Sequence, residues 1–192
     1  MIQRFLHAGT EFGRRLRLVA ADQWSAPTPC ADWNVRQLVN HVTRGNLNYI
    51  ALLHGASAGD FRHLRDADAL GTDPVAAYTA SLTETAAAFS TPGALERLVD
   101  YPLGRIRGAQ ALAVRTTDTV IHTWDLARAT GTDEALDADL VTWITTHLET
   151  IYADLAETPI SAESTHRFFA SPHGTPDPSP QGLLLHRMGR ST

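Results

Sequence analysis

The sequence holds a single cysteine, Cys30, so no internal disulfide can form and a disulfide-stapled scaffold is excluded. No run reaches the roughly 18 apolar residues that a transmembrane helix needs. The opening residues, MIQRFLHAGTEFGRRLRLVAADQ, lack the apolar core of a secretory leader. Basic blocks are also missing. The densest, RRLR at 14–17, reads as the solvated face of an amphipathic helix, and the formal net charge is −5. A broad electrostatic surface for nucleic acid or anionic lipid is therefore not expected. Strand signals are few, which disfavours an α/β sheet. What remains is a soluble, cytoplasmic, helical protein with no nucleic-acid or membrane partner.

Apolar material is sufficient. Hydrophobic residues make up 43% of 192, enough for the core of one domain. Ile2, Phe5, Leu6, Phe12, Leu16 and Val19 recur at helical spacing and predict a helix over 1–22. WSAPTPCADW, 24–33, holds two prolines and reads as a loop. Asn34 then caps a helix over 35–54, and Gln37 completes a capping box. Val35, Leu38, Val39 and Val42 share one face of it, and Gly55 is its stop. Residues 55–73 show weak periodicity and read as loop. Pro74 opens an Ala-rich helix over 73–90. A short hairpin is expected around 99–106. A helix over 109–130 ends at Gly131, and another over 137–155 carries Leu140, Ile144, Leu148, Ile151 and Leu155. SPHGTPDPSP, 171–180, reads as a Pro-rich linker to a short terminal helix in QGLLLHRMGR. The expected architecture is all-α: a helical bundle over 1–170 and a C-terminal extension over 171–192.

Nine histidines are scattered along the chain, so the question is which of them converge. TDTVIHTWDLARATG, 117–131, carries Asp118, His122 and Asp125. Residues four apart on a helix differ by about 40° and one turn, so Asp118 and His122 project side by side. Two readings compete: a wet polar face, or two ligands of one metal ion. A metal site needs a further ligand from another element. His41 is the best candidate, at the edge of the apolar stripe of its helix. His147 is a rival on the stripe of a later helix, whereas His54 points away from His41. Asp125, beside Trp124, reads as a surface or salt-bridging residue, with support of a ligand as the alternative. Cys30 precedes a helix N-terminus, where a thiolate is stabilised; a packing role in the loop is the plainer reading.

PTPCADWNVRQLVNHV (27–42) and DTVIHTWDLARATG (118–131) together resemble a known pair of motifs. They are similar to those of the mycothiol-dependent maleylpyruvate isomerase N-terminal family, within the wider DinB-like superfamily, and most of all to its short actinobacterial-type metal-binding members. The resemblance runs from the first helix to the closing LLLHRMGR. It implies a DinB-like four-helix bundle with a divalent metal near one end. The family's histidine on the second helix falls on His41, and its carboxylate–histidine pair falls on Asp118 and His122. Two departures stand out. The isomerase carries Glu where this chain has Asp118, and its large C-terminal domain has no counterpart in so short a sequence. Maleylpyruvate isomerisation itself is therefore not expected.

Three protein ligands leave open positions on a zinc-like ion. The resemblance implies activation of a low-molecular-weight, mycothiol-like thiol for attack on a small electrophile, by a thiol transferase or isomerase-like enzyme. Hydrolysis by metal-bound water and a non-catalytic metal-stabilised dimer or sensor are the alternatives. Zinc is the first expectation for the cation; nickel, iron and cobalt suit the same donors. A homodimer is compatible with such a bundle. Asp125 or Arg128 could orient ligands. The reading requires the imidazoles of His41 and His122 to lie well within roughly 10 Å of one another.

Overall fold

Caps and breakers written into the sequence set most helix ends. The computed structural model describes residues 1–155 and 175–191. Among them are helices α1 (Ile2–Leu16), α2 (Val35–Leu53), α3 (Ala58–Leu64), α4 (Pro74–Phe89), α5 (Gly108–Thr130), α6 (Ala138–Ile151) and α7 (Pro180–Arg187). One antiparallel hairpin joins β1 (Leu98–Tyr101) to β2 (Gly104–Arg107), with Val99 opposite Ile106. Asn34 Oδ1 accepts from the Gln37 amide, and the Gln37 side chain accepts from the Asn34 amide, both at 2.9 Å. Two of the orphan N–H groups at the start of α2 are thus satisfied. Asp73, Asp137 and Ser179 cap α4, α6 and α7 by accepting from the amide three residues on. Gly131 ends α5 in the left-handed region at φ 66°, where a side chain is disfavoured.

The chain is mostly helical, as expected. Helix α1 packs on α4 and α5, and α2 packs on the same two helices. One apolar cluster gathers Phe5, Phe89, Leu112, Ile121 and Ile144 with Leu184 and Leu185 of α7. A second gathers Phe12, Leu16, Leu38, Val42, Tyr78 and Leu126 around the α1–α2–α5 contact. Each fully buried Phe or Leu contributes about 1.5–3 kcal/mol.

Helix α5 is buried on nearly all sides although it is rich in polar residues. Its threonines resolve the conflict locally. Thr116, Thr117, Thr119, Thr123 and Thr130 each donate to the carbonyl four residues earlier, at 2.7–3.1 Å. Their hydroxyls need no partner on a neighbouring helix. The buried charged residues of α5 pair with one another one turn apart, and Asp125 also takes Arg190 from the C-terminal segment.

Three boundaries differ from expectation. Helix α1 stops at Leu16 because Leu18 and Val19 bond back three residues, tightening the chain into a turn. Val19 still packs on the core, so its apolar spacing was satisfied without a helix. The segment 55–73 is not all loop. Ser57 and Asp60 form a reciprocal capping box that starts α3. No α3 residue is buried, which is why no periodic stripe announces it. Helix α6 ends at Ile151, and Asp154 adopts a left-handed φ of 59°. The expected division at 170/171 and the first part of the Pro-rich linker lie outside the described residues.

Replacing Asn34 by Ala removes the cap of the helix that carries His41. The N34A variant is expected to lose about 1 kcal/mol of unfolding free energy, read from urea titration with an unchanged slope.

Candidate metal centre

His41 sits two turns into α2, and Asp118 and His122 lie one turn apart on α5, the helix that packs against α2. The three side chains meet. Asp118 Oδ1 is 3.5 Å from His41 Nε2 and 3.4 Å from His122 Nε2. One donor atom from each residue lies within 4.8 Å of the others. The two imidazole centroids are 5.0 Å apart, with the rings nearly perpendicular at 75°. These separations exceed the usual 2.7–3.2 Å of a direct hydrogen bond. They match the edge of a tetrahedron, about 3.3 Å, around an ion bound at about 2.0–2.1 Å. Two imidazoles and one carboxylate are also a donor set that divalent first-row metals accept.

Exposure grades across the site. The His122 side chain is 4% exposed, Asp118 15% and His41 22%. His122 forms the inner wall, and the rim lies at His41 and Asp118. Trp33, from the Pro-rich loop before α2, stacks on His41 with centroids 4.5 Å apart and reaches His122 at 5.8 Å.

Behind His122 stands a chain of hydrogen bonds. Its Nδ1 is 2.8 Å from Asp125 Oδ2. Asp125 is fully buried and held as a carboxylate, so Nδ1 carries the proton and donates. Nε2, on the Asp118 side, is the nitrogen that a cation could take in place of a proton. Asp125 is in turn forked by Arg190, with Nε at 3.0 Å from Oδ1 and Nη2 at 2.6 Å from Oδ2. Arg190 Nη2 also donates to Cys30 Sγ at 3.3 Å, and Cys30 lies 3.4 Å from Asp125 Oδ2. A carboxylate on the far nitrogen of a ligating histidine fixes its tautomer and ring orientation.

The electrostatics follow from burial and charge. Burial pushes the His41 imidazole down to about 4, against the pull of Asp118, so it is neutral at physiological pH. For His122, burial also opposes the charged form. The Asp118 carboxylate and hydrogen bonds to Asp118, Asp125 and Cys30 outweigh it, and the net shift is upward. Burial would raise Asp118, yet the charges of Arg115, His122 and His41 hold it well below the usual carboxylate range. Burial likewise opposes ionisation of Asp125, but hydrogen bonds from His122 and Arg190 bring it to about 2. The site is thus built around two ionised carboxylates with an imidazole between them.

A second triad, Cys30, His122 and Asp125, also brings donor atoms within 4.8 Å. Arg190 already occupies both oxygens of Asp125, so a cation there would face a guanidinium. The first triad is the better cation site.

Other expectations are corrected. Asp125 is a buried support of His122 and not a surface residue. Arg128 pairs with Glu134 at 3.0 Å and lies over Trp124, so it orients no ligand. His147 turns Nδ1 to the Trp143 carbonyl at 2.8 Å and does not join the cluster. Cys30 does more than fill its loop, since it touches Asp125 and Arg190. Sequence reasoning also missed Arg190 and Arg115. Arg190 is 65 residues from Asp125, and no local spacing signals the contact. Arg115 was detectable, because it lies three residues before Asp118 and so shares its helix face.

A family model described as "Mycothiol maleylpyruvate isomerase N-terminal domain" matches residues 5–127. Uncharacterized proteins from two strains of Mycobacterium tuberculosis are each 35% identical over 129 residues. These alignments cover 67% of this chain and 66% of each relative, so the chain spans just under two thirds of their length. No solved structure matches. No helix among the described residues is long and apolar enough to cross a membrane.

Arg190→Met strips the guanidinium from buried Asp125 and leaves it the His122 ring and Cys30. The R190M variant is expected to lose about 3–5 kcal/mol of stability at pH 7, measured by denaturant unfolding in chelator. Asp125 has a folded pKa lowered to about 2. Its stabilisation is therefore fully present above the unfolded value of about 3.9 and is lost as pH falls through 2. The gap between wild type and R190M should stay open from neutrality to about pH 4 and close below it.

Proposed function

The chain belongs to the mycothiol maleylpyruvate isomerase N-terminal domain family, and from that premise we propose that it is a divalent-metal protein. In this reading it activates a low-molecular-weight thiol toward a small electrophile, as a thiol transferase or isomerase-like enzyme. Helices α1, α2, α4 and α5 are the four helices of a DinB-like bundle, with the metal near one end. His41, Asp118 and His122 hold the cation. The observation that carries the proposal is the meeting of two Nε2 atoms and one Oδ1 atom at 3.4–3.5 Å, the spacing of ligands around an ion.

When bound, such a cation offers a Lewis-acid position at which a thiol gives up its proton near neutral pH. The protein supplies the rest. Burial keeps His41 neutral, so one of its ring nitrogens carries a free lone pair. Asp125, locked by Arg190, keeps the His122 ring turned toward Asp118. The rim at His41 and Asp118 is the open approach, and Trp33 forms a flat wall beside it. A thiol carrying a polar body would enter from that side with its sulfur leading. Zinc is the cation we expect, since it accepts this donor set with an open position.

Metal analysis provides the test. The wild-type protein is expected to retain one equivalent of zinc after dialysis. Zinc at about 100 times its dissociation constant should raise the unfolding free energy by about 2.7 kcal/mol. In H122A the affinity should fall by more than the roughly 10–100-fold that outer supports alone are worth. The cobalt form should gain a sulfur-to-metal absorption band on titration with a cellular thiol. Equal zinc retention by wild type and H122A would remove the ligand assignment. Turnover of esters or amides without any thiol would move the chemistry to hydrolysis.

A further inference from the structure

Asp118 has two carboxylate oxygens, and the structure divides them between two tasks. Oδ1 faces the histidine nitrogens at 3.4 and 3.5 Å. Oδ2 faces Arg115 Nη1 at 3.0 Å as an ion pair, without accepting a hydrogen bond among the described residues. Arg115 lies one turn earlier on α5 and is only 2% exposed. Its Nη2 donates to Thr119 Oγ1 at 3.3 Å, while its Nε has no hydrogen-bond partner among the described residues. Burying a guanidinium with an unmet N–H is costly. Space for it is made on the facing helix: a Cβ on Gly45 of α2 would collide with Arg115 Nη1. An arginine seated this way trades hydrogen bonds for one specific contact, the far oxygen of Asp118.

We infer that Arg115, seated against Gly45, is a positioning residue that reserves Oδ2 of Asp118, so that a cation meets one carboxylate oxygen and an external anion completes its coordination. This rests on the reading of His41, Asp118 and His122 as ligands. Two physical arguments carry it. A carboxylate free at both oxygens can bind an ion bidentately and fill a position that an outside ligand would need. With Oδ2 held in the ion pair with Arg115, Oδ1 is the oxygen turned to the cation. The second argument is charge. A cation that takes the place of the His122 proton meets neutral nitrogens from His41 and His122, and the guanidinium cancels the single negative charge of Asp118. A divalent ion held there keeps its full positive charge in a buried setting, where attraction to an anion is strong. The external ligand class is therefore a thiolate or carboxylate in preference to a neutral donor. The pairing also bears on the shorter side chain at position 118. Asp brings its carboxylate close to its own helix, within reach of an arginine one turn away.

The test uses cobalt(II) as the metal probe, with 2-mercaptoethanol and acetate as external anions. Wild type, Arg115→Met, Arg115→Lys and Gly45→Ala are compared after circular dichroism shows that each is folded. Wild-type protein is expected to bind one cobalt and to gain a sulfur-to-cobalt band with 2-mercaptoethanol. In R115M the cobalt should remain bound, but its visible absorption should weaken as Asp118 turns bidentate. The half-saturating concentrations of both anions should rise at least about tenfold. R115K keeps the charge without the planar fork, so anion binding should recover to within about threefold while the visible spectrum stays altered. Should R115M fail to fold, G45A decides, because it displaces the guanidinium and keeps its charge; the same weakened spectrum is expected. An unchanged spectrum and unchanged anion affinities in folded R115M, or an unchanged spectrum in G45A, would overturn the inference and leave the three-ligand site standing. Failure of wild-type protein to take up cobalt would overturn the ligand reading and this inference together.

Discussion

Charge compensation along one buried helix is the constraint on which the rest of the structure depends. Helix α5 carries Arg115, Asp118, His122 and Asp125 through the interior. Each would be costly alone, because an unpaired buried charge loses its water without return. The fold answers with an alternating series. Arg115 faces Asp118, Asp118 faces His122, His122 faces Asp125, and Asp125 faces Arg190. The two guanidiniums close the ends. In the middle, between Asp118 and the two imidazoles, the contacts are longer than hydrogen bonds should be. The place where the series is loosest is the place where positive charge is best received.

One end of that series, Arg190, comes from a distant part of the chain, which ties the site to the fold. Arg190 reaches Asp125 because Leu184 and Leu185 of α7 bury themselves in the same core that α5 and α6 share. Its guanidinium is steadied by a further bond from Nη1 to the Met188 carbonyl at 2.8 Å. Docking of the C-terminal helix and orientation of His122 are thus one event. The residues matched by the family model end at 127, so this support lies outside them. On the other flank, Cys30 and Trp33 come from one short loop and reach both layers of the site. The α2 cap at Asn34 follows directly, so the loop and the His41 helix share a boundary.

What could be read in advance follows from the range of each interaction. The convergence of His41, Asp118 and His122 was legible because a helical i,i+4 pair is a local pattern and the paired motifs are long. The caps at Asn34 and Gly131 were legible for the same reason: they satisfy backbone groups three or four residues away. Asp125 was visible but ambiguous, since its role depends on Arg190, 65 residues away. Helix α3 was missed because a helix with no buried face leaves no stripe to detect. The early end of α1 was missed because Val19 keeps an apolar contact while sitting in a turn. Periodicity records burial, and burial is not always helical.

The position of Cys30 bears on where a thiol must come from. Its Sγ lies 3.9 Å from His122 Nδ1, which is the edge of the ring turned toward Asp125. The opposite edge, Nε2, faces Asp118. For the sulfur to share an ion with Asp118 and His41, the His122 ring would have to flip, breaking its 2.8 Å bond to a buried carboxylate. That carboxylate would then keep only Arg190 as a charged partner. The chain's only cysteine is therefore on the wrong side of the imidazole to close the coordination sphere from within. A structural ion wants such closure, with four protein donors and no room for others. Here the nearest internal thiol is held away by the same bond that orients the ligand, and the more exposed edge at His41 and Asp118 faces outward. On the proposed reading of the site, the sulfur would be one that arrives from solution.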